Sequence, residues 1–190
     1  MTGGKIVKNS NFMKVLKGIL TYVLTFLFLL LFINTYFVSV TEISGESMYP
    51  TFSTGEKVLF TKFSSFSPTK SYKQGDVVVC RFGNINYNKD NSTQQDNTST
   101  YIKRIIAIGG DTIEIADGKV FVNDIDITNK YWGDTYVNDS LLQIKIPEGY
   151  VFVIGDNINN SKDSRVIKSI PYSNILGKVA YKIPSFERVN

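Results

Sequence analysis

Between Gly18 and Thr41 the chain carries no charged residue, and the run GILTYVLTFLFLLLFINTYFVSVT is 24 residues long with a Leu/Phe-rich centre flanked by Tyr22 and Tyr36. A helix of about 20 apolar residues crosses roughly 30 Å of hydrocarbon, so this pattern predicts a transmembrane helix over residues 18–41. A cleaved secretory signal fits less well, because the apolar run is long and no Ala-x-Ala-like site comes after it. Beyond Thr41 the pattern changes to short apolar runs rich in β-branched residues. GDVVVCRF (75–82), YIKRIIAI (101–108), KIPEGYVFVIGD (145–156) and ILGKVAYKI (175–183) read as strands. TIEIADGKVFV (112–122) alternates on both sides of Asp117-Gly118, the signature of a two-residue type I′ hairpin. No long amphipathic helix is predicted after the span, and the polar stretch 84–100 reads as a mobile surface loop.

The chain has 190 residues, enough for one domain of ordinary size plus an appendage. Its formal charge of +4 would suggest nucleic acid if it were spread over the whole molecule. It is not. Lys5, Lys8, Lys14 and Lys17 precede the apolar run, and no acidic residue occurs before Glu42. Removing those four from the 21 basic residues leaves 17, which matches the 17 acidic residues. The excess charge is thus a short basic flank, which places residues 1–17 in the cytoplasm and residues 42–190 on the outer face of the membrane. No nucleic-acid partner is expected. Histidine is absent, excluding Ser-His-Asp and Cys-His catalysis and imidazole-bound zinc. Cys80 is the only cysteine, so there is no intramolecular disulfide and no thiolate metal cluster. Neither metal nor cofactor is expected, and any hydrolytic base must be Lys, Asp, Glu or an N-terminal amine.

Three segments carry polar residues in suggestive places. In Ile43-Ser44-Gly45-Glu46-Ser47-Met48-Tyr49-Pro50-Thr51, glycine and proline bracket Ser47 in what is either a constrained turn presenting a hydroxyl or an ordinary loop leaving an anchor. Lys103 lies within an apolar strand. Alternation puts Tyr101, Lys103 and Ile105 on one face and Arg104 on the other. Lys103 is then either buried, with its pKa depressed, or an edge lysine snorkelling outward. The third segment runs from Gly155-Asp156-Asn157 to Ser161-Lys162-Asp163-Ser164-Arg165. Its Asp163 and Arg165 can pair and fix the loop, though an Asn/Ser/Asp turn has the same composition.

Taken together, Ser47-Met48-x-Pro50-Thr51, Gly75-Asp76-Val77-Val78-Val79, Lys103-Arg104-Ile105-Ile106 and Gly155-Asp156-Asn157 through Ser161-x-Asp163-Ser164-Arg165, in that order behind a membrane helix, resemble the bacterial type I signal peptidases. That resemblance implies a mainly β fold, with a coiled antiparallel sheet catalytic domain behind one N-terminal transmembrane helix and a small variable insertion around 112–147. It implies Ser47 as nucleophile and Lys103 as general base, with Ser161 holding the lysine amine and Asp163 and Arg165 supporting that loop. Ile43, Met48, Phe52, Tyr101 and Ile102 would line shallow pockets that admit only small side chains, and each is equally compatible with core packing. Gly45 stands where some members carry a serine that helps stabilise the oxyanion, as in many Gram-positive-type members. That leaves the Ser47 amide as the expected donor. The family's Gly-x-Pro-Gly-Asp is replaced by Ala107-Ile108-Gly109-Gly110-Asp111.

The resemblance also implies secretory preproteins as substrates and membrane lipid as the surroundings, with function as a monomer. Cys80 reads as a small buried hydrophobe. Two other classes compete: a membrane-tethered binding module of the same fold, disfavoured by the presence of both Ser47 and Lys103, and a self-cleaving Ser-Lys repressor, whose DNA-binding region would occupy the place taken by the membrane span.

Overall fold

The computed structural model describes residues 4–62, 72–82 and 99–183, so the loop expected at 84–100 lies almost wholly outside the described residues. The chain divides into two compact units, Met1–Val38 and Ser39–Asn190. The first is a single helix, α1 (Gly4–Tyr36). Its stretch Asn11–Ile33 has a mean hydropathy of 2.3 and none of it is buried by protein, which makes the helix long and apolar enough to cross a membrane. Thr21 and Thr25 return their hydroxyls to the helix backbone, at Lys17 O and at Thr21 O and Tyr22 O, so neither polar group is left for hydrocarbon to solvate. The helix ends earlier than apolarity alone suggests. Val38-Ser39-Val40-Thr41 alternates β-branched residues and forms strand β1 (Val38–Glu42) instead.

The second unit is built on two sheets. The larger contains β1, β2 (Lys57–Thr61), β3 (Val77–Phe82), β4 (Ser99–Ile108), β9 (Tyr150–Ile154), β10 (Ile170–Pro171) and β11 (Ile175–Ile183), in the order β1-β2-β11-β3-β4-β9-β10. The smaller contains β5 (Thr112–Ala116), β6 (Lys119–Val122), β7 (Ile125–Asp126) and β8 (Leu141–Lys145), in the order β7-β6-β5-β8. Neighbours from β2 through β10 pair antiparallel, as do those of the smaller sheet. The fold is thus mainly antiparallel β behind an N-terminal apolar helix. The only helices after it among the described residues are short: α2 (Thr128–Trp132) and α3 (Ser164–Ile167), besides two single 3₁₀ turns.

Burial on both faces explains the apolar runs. In β3, Val77 and Val79 pack into a cluster with Ile43, Met48, Phe52, Val58 and Phe60, while Val78 and Cys80 pack with Ile105, Val151 and Val153. In β9, Val151 and Val153 serve that second cluster, and Phe152 and Ile154 join a third beneath the small sheet with Ile113, Ile115, Val120 and Trp132. Such strands lose period-2 alternation because no side faces water. The register of β4 against β9 shifts between Ile105 and Ala107; a bulge there turns both Ile106 and Ala107 into the cluster beneath the small sheet, while Ile105 and Ile108 stay with the other.

The segment expected as one strand over 145–156 is two elements. β8 ends at Lys145, Tyr150 N–H bonds back to Pro147 O at 3.1 Å across a turn with Gly149 at φ +81°, and β9 starts at Tyr150. The Asp117-Gly118 hairpin forms with both turn residues at positive φ, 50° and 74°. A Cβ at Gly118 would also run into the Tyr136 ring. Gly118→Ala is therefore expected to destabilise the full chain by about 1–2 kcal/mol, the cost of a side chain in left-handed backbone, read as a lowered denaturation midpoint in detergent micelles.

Candidate active site

β4 carries two cations of opposite fate. Lys103 is paired in register with Val78 and is 1% exposed. Arg104, facing the other side opposite Val77, forms a two-pronged pair with Asp156 at 2.8 and 2.7 Å and donates to Gly75 O at 2.8 Å. Among the described residues Lys103 has no carboxylate within salt-bridge reach. Its Nζ donates to Ser47 Oγ at 2.5 Å. Burial lowers its pKa below the ordinary lysine value, with Asp163 pulling it partly back. Cys80, buried behind it, is pushed up to about 12 by desolvation and stays a neutral thiol.

Ser47 reaches Lys103 from a tight turn in which Tyr49 N–H bonds Glu46 O at 3.0 Å. Gly45, at φ +89°, starts the turn, and Pro50 comes after a cis peptide bond. A side chain at position 45 would be strained, which accounts for glycine there. Among the described residues the Ser47 amide donates to no acceptor, so it remains available to a ligand.

The 155–165 loop closes the site. Asp163, fully buried, takes both prongs of Arg165 at 2.8 Å each, accepts from Gly155 N–H at 3.1 Å and caps α3. Arg165 also donates to Ser161 O at 3.2 Å. Ser161 Oγ is buried and makes no hydrogen bond; it lies against the Gly155 Cα, where an added Cβ would collide with it and with Ser47 O. The hydroxyl is thus brought beside the Ser47 turn, but the Lys103 amine bonds Ser47 and not Ser161.

Of the residues expected to line pockets, Ile43, Met48 and Phe52 are buried in one cluster, with Ile102 half-buried against it. Tyr101 belongs elsewhere: it packs on the neighbouring cluster and stacks on Phe82 at 4.4 Å, although its ring centroid is 5.8 Å from Lys103 Nζ. Sequence reasoning placed Arg104 on the face opposite Lys103, facing a carboxylate or solvent, without naming Asp156, and gave Asn157 no role, although all three lie within the family motifs. Their signal was a carboxylate and an amide directly after an apolar strand and a glycine.

The family described as Signal peptidase, peptidase S26, matches residues 15–183. The chain is 34% identical over 143 residues to Thylakoidal processing peptidase 1, chloroplastic, of Arabidopsis thaliana, across 74% of this chain and 40% of that protein. It is 32% identical over 167 residues to Signal peptidase I P of Bacillus subtilis subsp. natto, across 83% of this chain and 80% of that protein. A solved signal peptidase I from Enterococcus faecalis V583 aligns with a TM-score of 0.43 and 20% identity, covering 57% of this chain and 97% of that one. On the sequence matches, the chain belongs to the peptidase S26 signal peptidase family. It spans two fifths of the Arabidopsis relative and four fifths of the Bacillus one.

The buried charges have two consequences for stability. Asp156→Ala removes the carboxylate facing buried Arg104 and is expected to cost roughly 3–5 kcal/mol, measured by thermal or denaturant unfolding. Lys103→Met should raise the melting temperature, because folding no longer buries a group whose charged form desolvation penalises. The sign comes from linkage: a depressed lysine pKa means the unfolded state binds more protons, so the gain is largest at low pH and fades as pH rises toward ~10.4.

Proposed function

We propose that this chain is a membrane-anchored serine endopeptidase that removes N-terminal signal peptides from secreted preproteins, cutting after a small residue with another small residue two positions earlier. Ser47 is the nucleophile and Lys103 the general base. The observation that carries the reading is the 2.5 Å contact between Lys103 Nζ and Ser47 Oγ, with an amine 1% exposed and held below the ordinary lysine pKa. A lysine in water is protonated at neutral pH and cannot accept a proton; burial gives the neutral form.

In this mechanism the Lys103 amine takes the Ser47 proton as Oγ attacks the scissile carbonyl, and the Ser47 amide faces the developing oxyanion. The lysine ammonium then protonates the departing amine, leaving the acyl chain on Ser47 Oγ. Water attacks the ester while giving a proton to the same amine, and the ammonium returns that proton to Ser47 Oγ as the acid product departs. Ser161, whose buried hydroxyl makes no hydrogen bond, is free to turn to the amine and orient it through this cycle, and the Asp163–Arg165 pair keeps its loop in shape. Ile43, Met48, Phe52 and Ile102 form a packed wall that favours Ala, Gly or Ser by exclusion, with Tyr101 flanking the amine.

The apolar helix anchors the enzyme in lipid, and the N-terminal lysines keep its first residues in the cytoplasm and the catalytic unit on the outer face of the membrane. The sequence distance is short: β1 begins two residues after α1 ends, and Ser47 lies five residues after β1. That spacing suits cleavage of a chain just leaving the bilayer. On this reading the chain works as a monomer.

Ser47→Ala and Lys103→Ala are each expected to abolish cleavage of an Ala-x-Ala preprotein by the full chain in detergent or vesicles. Retained activity in either variant would overturn the assignment. In the wild type, kcat/KM should rise with pH through the Lys103 titration, because the neutral amine is the active form. The midpoint of that rise should fall well below the ~10.4 of a free lysine.

A further inference from the structure

The Ser47 turn has little of its own to hold it. Met48 anchors it in the core, but Gly45, Glu46 and Tyr49 are exposed, and within the turn a single backbone bond joins Tyr49 to Glu46. Phe52 N–H adds a bond to Met48 O at 2.9 Å and Lys103 holds the Ser47 side chain, while the Glu46 and Ser47 carbonyls are both engaged by a single residue on another loop. Asn157 donates its backbone N–H to Ser47 O at 3.0 Å and its side-chain Nδ2 to Glu46 O at 3.2 Å.

These two carbonyls belong to the peptide groups on either side of the Ser47 Cα. A peptide group is rigid and planar, with its C=O and N–H pointing in opposite directions. Holding Glu46 C=O therefore sets the direction of the Ser47 N–H, and accepting a hydrogen bond at that oxygen polarises the same amide toward stronger donation. Holding Ser47 C=O fixes the next plane, so both backbone torsions of Ser47 are pinned, and with them the direction in which its side chain leaves the backbone.

Asn157 is itself firmly mounted. Asp156 before it is locked to Arg104, and the Gly155 carbonyl accepts from Trp132 Nε1 at 3.2 Å. Asn160 N–H bonds Asn157 O at 2.9 Å. Asn159 accepts from Asn138 N–H at 3.0 Å and donates to Tyr136 O at 2.9 Å. The segment 132–138, which leads from the small sheet, thus braces the loop that aims the turn.

We propose that Asn157 is a positioning residue for the proposed peptidase reaction, holding the Glu46–Ser47 and Ser47–Met48 peptides so that the Ser47 amide meets the oxyanion and Ser47 Oγ meets Lys103. The inference rests on the Ser-Lys reading above. Its test uses the full chain in detergent micelles with a fluorogenic Ala-x-Ala peptide, and compares wild type, Asn157→Ala and Asn157→Asp. The aspartate keeps size and the backbone bond but cannot donate to Glu46 O.

Both variants are expected to lose about 10–100-fold in kcat, the scale of misaligned reacting groups, with KM within about twofold. The midpoint of the acidic limb should stay unmoved in Asn157→Ala, since Lys103 keeps its surroundings. The peptide Kd should be unchanged when Asn157→Ala is added to Ser47→Ala. An unchanged kcat in both variants, a loss carried by KM or Kd, or a loss that disappears once the unfolded fraction is subtracted would each overturn the proposal. The two readings fail separately. Activity surviving Ser47→Ala or Lys103→Ala defeats the Ser-Lys mechanism. Loss in those variants with full kcat in Asn157→Ala defeats only the role of Asn157.

Discussion

Burying one amine inside a β-sheet is the constraint around which this fold is arranged. Lys103 lies on β4, flanked by β3 and β9, so its surroundings are strand backbone, Val78, Cys80, the ring of Tyr101 and the Ser47 hydroxyl, with Asp163 near but not paired to it. An ammonium there would lack solvation, and no ion pair among the described residues replaces it. The neighbouring residue shows the alternative outcome. Arg104 cannot shed its proton, and it is buried only together with Asp156 in a two-pronged pair. Strand alternation keeps the two cations on opposite faces, and each face treats positive charge differently.

The loop after β9 serves both faces. Asp156 satisfies Arg104 on one side, while Asp163 folds back to bond Gly155, Arg165 and the start of α3. Glycine at position 155 allows the loop to approach the Ser47 carbonyl and the Ser161 side chain closely. The connection from β7 to β8, which includes α2, contributes as well: Trp132 bonds the Gly155 carbonyl, Tyr131 lies 5.6 Å from the Arg104 guanidinium, and Asp139 approaches Arg165 at 3.7 Å. A region that reads from sequence as a small variable insertion therefore bears directly on the loop that borders the Ser47–Lys103 contact.

Several elements were legible because their burial leaves a compositional mark. β3, β4, β9 and β11 show as apolar runs since they are covered on both faces or central to the sheet, and the β5–β6 hairpin shows through Asp117-Gly118. β1 was absorbed into the helix expectation because apolarity over a short window does not distinguish helix from strand. β2, with one half-exposed side, and β8, with no fully buried residue, are five residues each and leave too little contrast with loop sequence. The short β7 and β10 exist only through their partners.

By itself the sequence determined the apolar helix, the β character of the chain beyond it, the absence of imidazole and thiolate-cluster chemistry, and the order of four motifs that mark the family. These are properties of composition and local spacing, and they survive without knowledge of contacts. Only the tertiary structure decided that Lys103 is buried rather than snorkelling, that Ser47 lies within hydrogen-bond reach of it across 56 residues of chain, and that Asn157 holds the Ser47 turn. Those outcomes depend on the register of β4 against its neighbours and on the path of two loops, which long-range packing fixes and no single segment encodes.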